Sequence, residues 1–96
     1  MVTLQDAKLY MRIDGDEEDT LITSLIYTAQ SIVEDVLRRP LTDFETIPET
    51  VKQAVLLTVS TLYEYRQISK ERESFDMELL HRIILRMVGS YRLEKW

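Results

Sequence analysis

The sequence predicts an all-α fold, a small bundle of about four helices with a long second helix and a central, apolar third. Three observations predict it. Two glycines and two prolines in 96 residues supply too few turn formers for a many-stranded β architecture or a glycine-rich phosphate loop. Residues 21–37 place apolar side chains on one continuous helical stripe. A hydrophobic fraction of 45% beside a charged fraction of 30% suits a chain that buries a core and keeps a solvated surface. The length allows one core, so residues 1–96 are read as a single domain, with 89–96 as a candidate partner-binding tail.

The first helix is expected over Leu4 to Met11, because Thr3 and Asp6 have the spacing at which a hydroxyl and a carboxylate satisfy the free amides of a first turn. Arg12 to Asp16 break it, with Asp14-Gly15 a turn signal in which glycine takes a positive φ. A second helix then starts at Asp16. Its stripe is Leu21, Ile22, Leu25, Ile26, Ala29, Ile32, Val33, Val36 and Leu37, with Thr23, Ser24, Gln30, Ser31, Glu34 and Asp35 on the opposite face and Tyr27 off the stripe. Arg38-Arg39 complement the negative helix end, and Pro40 stops it.

Residues 40–47 read as a loop. A third helix is expected from Pro48, whose fixed φ suits a first helical position, to Ile68. Its apolar residues Val51, Ala54, Val55, Leu56, Leu57, Val59, Leu62, Tyr63 and Tyr65 cover most of its circumference, which predicts a central position and more apolar surface than one small monomer covers. Residues 69–74 form a charged link. The fourth helix is read from Phe75 to Val88, with Ser74 as its cap, a stripe of Leu79, Leu80, Ile83, Ile84, Met87 and Val88, and a solvent-side ion-pair ladder of Glu78, Arg82 and Arg86. Gly89 ends it.

Catalytic chemistry has little to build on. The absence of cysteine removes thiolate nucleophiles, thiolate metal sites and disulfides. His81, the sole histidine, has no serine or acid at the spacing of a catalytic partner and reads as a surface or boundary residue. The acidic run Asp14, Asp16, Glu17, Glu18 and Asp19 fails as a calcium loop, since counting from Asp14 puts glycine second and leucine twelfth. It reads as a helix start whose acids complement the dipole, or as a partner-facing edge. An acyl carrier needs an Asp-Ser-Leu that the chain lacks, and the apolar third helix, opening Pro48-Glu49-Thr50, is no DNA-recognition helix. No enzyme activity, cofactor or metal site is expected. Apolar runs of at most four residues predict no membrane span, and a start with neither a basic nor an apolar run predicts a cytosolic chain.

Charge is uneven. Residues 1–50 hold eleven acids against four bases, residues 51–96 six acids against eight bases, and the whole chain carries −5. That balance argues against gripping DNA, which needs a clustered basic face. The two halves are electrostatically complementary.

The order of segments resembles the small head-tail connector, or adaptor, proteins of tailed phages and prophages, also known as phage DNA-packaging proteins. The resemblance lies in Val2-Thr3-Leu4-Gln5-Asp6-Ala7-Lys8-Leu9-Tyr10-Met11-Arg12-Ile13-Asp14, then Asp16-Glu17-Glu18-Asp19 and Leu21-Ile22-Thr23-Ser24-Leu25-Ile26. It continues in Ile47-Pro48-Glu49-Thr50-Val51-Lys52-Gln53-Ala54-Val55-Leu56-Leu57, Leu62-Tyr63-Glu64-Tyr65-Arg66 and Ser90-Tyr91-Arg92. A departure is Ser74-Phe75-Asp76-Met77, where related sequences carry a proline or a glycine-rich turn.

The resemblance implies an all-helical structural subunit without cofactor, in a ring of about a dozen copies below the portal, contacting the portal and a tail-side connector or stopper protein. DNA would pass through the channel without sequence-specific binding. The implied places are the host cytoplasm during assembly and the head-tail junction of the virion. Candidate subunit contacts are Asp16, Glu17, Glu18, Tyr27, Arg38 and Arg39; candidate portal or tail contacts are Tyr91, Arg92, Leu93 and Trp96. The alternative is a small helical regulator or protein-binding adaptor acting as a monomer or dimer.

Overall fold

The computed structural model describes residues 2–68 and 77–92. Among these residues there are four α-helices and no strand: α1 (Leu4–Met11), α2 (Asp19–Leu37), α3 (Glu49–Ile68) and α4 (Met77–Val88). Short 3-10 turns follow at Leu41–Asp43 and Gly89–Tyr91. The described residues make a flat body of 41 × 30 × 16 Å in which α2, α3 and α4 pack on one another and α1 lies across α2 and α3. The expected cap Ser74 and the expected first helical residue Phe75 lie outside the described residues, as do Leu93 and Trp96.

The start of α1 follows from its side chains. Thr3 Oγ1 accepts the Asp6 amide at 3.1 Å, and Asp6 Oδ2 accepts the Thr3 amide at 3.0 Å, a reciprocal capping box. That backbone donor holds the Asp6 carboxyl below its ordinary range. The helix ends in a left-handed residue, but this residue is Arg12 (φ 62°) and not Gly15, correcting the expected turn. The Arg12 amide donates to Leu9 O and the Ile13 amide to Lys8 O at 2.9 Å, the paired bonds of a Schellman ending.

α2 begins at Asp19, three residues later than expected; Asp16 to Glu18 form a turn closed by the Asp19 amide on Asp16 O. The reason is tertiary: Lys8 of α1 draws Asp16 and Asp19 back across the turn. The stripe holds, with Ile22, Leu25, Ile26, Ala29, Val33, Val36 and Leu37 buried. Gln30, assigned to the outer face, is buried too, because the segment Val2–Leu4 lies over that side of the helix. Its Oε1 has no hydrogen-bond partner. Leu37 is the last helical residue; Arg38 turns left-handed (φ 62°) and its amide returns to Glu34 O at 2.8 Å. The Glu34 carboxylate then accepts the Leu41 amide at 2.8 Å, fixing the corner beyond Pro40.

α3 opens after Pro48, whose carbonyl accepts the Lys52 amide. It is central as expected, touching α1, α2 and α4, with Val51, Ala54, Val55, Leu56, Thr58 and Val59 buried. The expectation that one monomer does not cover all of it holds in part, since Leu57, Leu62, Tyr63 and Tyr65 stay half-buried. None of its large apolar residues over 51–65 is exposed, because three helices close around it. The apolar surface left open lies on α1, α2 and α4 instead.

On α4 only half of the expected stripe faces inward: Leu80, Ile84 and Val88 are buried, while Leu79 is 47% and Ile83 40% exposed. The helix meets α2 and α3 on one side, so Leu79 and Ile83, the first members of their apolar doublets, turn outward. The expected ladder does not form either. Glu78, Arg82 and Arg86 are exposed, and none of the three makes an ion pair among the described residues. At Gly89 the helix tightens into a 3-10 turn, with no left-handed cap.

Candidate functional site

The acidic corner between α1 and α2 is built around a buried cation. Lys8 is only 9% exposed, and its ammonium donates to Asp19 Oδ1 at 2.8 Å and to Asp16 Oδ1 at 3.4 Å. The Asp19 contact is the main reason its pKa lies above the ordinary Lys value. Glu18, which gives its own helix no side-chain cap, accepts a hydrogen bond from Tyr63 Oη of α3. The same bond raises the Tyr63 pKa, since it favours the protonated phenol. Glu17 and Asp14 stay exposed at the surface of the corner. Of the predicted acids, therefore, Asp16 and Glu18 hold internal partners and Glu17 faces solvent.

Tyr27 stands 68% exposed on α2, beside Thr20, Thr23, Ser24 and Thr28. Arg38 is exposed as well. Arg39, its neighbour, turns inward: its guanidinium lies 4.3 Å from the Phe44 ring centroid, Nη1 donates to Tyr91 O at 3.2 Å, and Nε sits 3.7 Å from Asp43 Oδ2. Tyr91 meets Phe44 edge to face at 6.1 Å. Arg92 Nε donates to Val36 O at 3.0 Å, satisfying a carbonyl that the end of α2 leaves without an intrahelical partner. Residues 89–92 are thereby tied to the α2 terminus by two arginines.

Sequence reasoning missed three of these placements, and two of them join residues far apart in the chain. Arg92 reaches Val36 across 56 positions and Tyr63 reaches Glu18 across 45, distances at which periodicity carries no signal. Lys8 had a local signal, being a single base on the inner side of a short helix just before five acids.

Among the described residues no group of three or more His, Asp or Glu is placed to hold a metal ion, and no helix is long and apolar enough to cross a membrane. His81, half-buried on α4, shares no hydrogen bond with another side chain among the described residues. What the surface offers is charge and apolar area: an acidic corner, an exposed tyrosine and the outer face of α4.

No curated protein matches the chain, and no solved structure does. One family model matches, described as phage gp6-like head-tail connector protein, over residues 1–85. The matched span takes in α1, α2, α3 and α4 as far as Leu85, so it includes the capping box, the acidic corner and the whole packing of α2 on α3. A match over this much of an all-helical chain identifies it: the chain belongs to the phage gp6-like head-tail connector family, a structural family of the virion head-tail junction.

Proposed function

We propose that this chain is the repeating subunit of a connector ring that binds below the portal, extends the DNA channel, and supports genome packaging and tail joining. The observation that carries the reading is the family match across residues 1–85. Ring closure by about a dozen subunits requires each copy to offer two different surfaces that fit each other, unlike a twofold dimer that pairs one patch with itself. The uneven charge of the chain supports that arrangement.

Within this reading Glu17, Tyr27 and Arg38 are subunit-facing, being exposed side chains without a partner among the described residues. Asp16, Glu18 and Arg39 hold the loops that present them. Tyr91 and Arg92 lie at the edge facing an adjoining ring, and Leu93 and Trp96, outside the described residues, are further candidate contacts with the portal or a tail-side stopper protein. A net charge of −5 per subunit keeps duplex DNA from adhering to the channel wall. The subunit assembles in the host cytoplasm before joining the virion.

The test is the molar mass in solution by light scattering across protein concentration, alone and with the cognate portal. A mass near about a dozen subunits, in either condition, is the expected result. A strict dimer that ignores the portal would replace this reading with that of a small helical regulator.

A further inference from the structure

Six large apolar side chains of the described residues are widely exposed, and four of them fall in two groups of opposite charge. On the outer face of α4, Leu79 and Ile83 are four residues apart, and together with Arg82, Arg86 and Met87 they line one shallow groove. Both guanidiniums lack an acid partner among the described residues, because the ladder to Glu78 does not close. The second group lies at the end of α1 and the turn after it, where Leu9 is 82% and Tyr10 42% exposed. Residues 8–19 carry five acids against two bases, and Asp14 and Glu17 are exposed there without an ion pair among the described residues.

Apolar surface flanked by arginine is the composition of an interface core, and a guanidinium fork fits a carboxylate in two-point geometry. The two patches are each part apolar and differ in sign. Placing α4 against α4 would bring like charges together, whereas α4 against the acidic corner pairs them. We infer that the outer face of α4, through Leu79, Arg82, Ile83 and Arg86, docks on the α1–α2 corner of a second copy of this chain, at Leu9, Tyr10, Asp14 and Glu17. The contact is head-to-tail, leaves each subunit with one free face of each kind, and propagates from copy to copy, as a ring requires. The inference rests on the ring reading and assigns its two surfaces.

Charge reversal on either side tests it. R82E/R86E and D14R/E17R are each expected to require at least about tenfold higher protein concentration to assemble, with circular dichroism and Tm close to wild type because all four residues are exposed. The chain carrying all four reversals is expected to assemble again, as is an equimolar mixture of the two double variants. Wild-type mass with R82E/R86E, or loss on both sides without recovery in the four-fold variant, would overturn the pairing and leave the ring reading standing. A wild-type chain that stays monomeric even with portal would remove the ring reading itself.

Discussion

Two arginines occupy backbone positions where glycine is the usual residue. Arg12 and Arg38 both have φ of 62°, a conformation that costs an L-residue roughly 1–2 kcal/mol because Cβ approaches a carbonyl. Gly15, the residue that a sequence reading assigns to such a position, has no positive φ at all. Arg38→Gly is therefore expected to raise stability by about 0.5–1 kcal/mol in urea unfolding, since the helix-ending bond from its amide to Glu34 O is kept. Gly15→Ala is expected to leave stability within about 0.5 kcal/mol or to raise it. The nearest atoms to a Cβ there belong to the flexible carboxyl end of Glu17.

Lys8 supplies a pH signature at the same scale. Its folded pKa lies above the ordinary value of 10.5, so the stability from its contacts with Asp19 and Asp16 is complete below that value and is lost as pH rises through the folded pKa. Lys8→Met is expected to be less stable than wild type at neutral pH, and the gap is expected to shrink above about pH 10.5. Thermal unfolding of both proteins across that range measures it. A gap that stays constant would show that Lys8 acts through packing of its stem alone.

At the scale of elements, the helices were legible where local rules decide them. The bounds of α1 follow from Thr3 and Asp6, the long stripe of α2 survives intact, and α3 starts where Pro48 places it. The phase of α4 was not legible. Apolar doublets such as Ile83-Ile84 make a stripe wide enough to fit several rotations about the helix axis, and only the position of α2 and α3 chooses one. Substitution separates the two faces: Ile84→Ala, at a fully buried position, is expected to cost about 2–5 kcal/mol. Ile83→Ala, on the outer face, is expected to cost under about 1 kcal/mol in the same denaturant measurement. The polar contacts that fix the corner and the final turn were illegible for a related reason, since Tyr63 to Glu18 and Arg92 to Val36 are made only after the helices have docked.

At the scale of the whole molecule, folding and association draw on different forces, and salt distinguishes them. The core is apolar, from Ala7 and Ile22 through Val55 and Val59 to Ile84 and Val88, and its burial does not depend on screening. The surfaces proposed to meet between copies are charged and exposed, so their attraction fades as the screening length falls from about 10 Å at 0.1 M salt to about 3 Å at 1 M. Raising sodium chloride over that range is expected to weaken assembly about tenfold or more while moving the subunit Tm by only a few degrees. Scattering and calorimetry on the same samples read the two quantities. The exposed Leu79, Ile83, Leu9 and Tyr10 keep the effect finite, because their contact is insensitive to screening and holds some association at high salt. Assembly and Tm falling together would mean that association and folding are one transition, with the apolar groove of α4 belonging to the core of a larger folded unit.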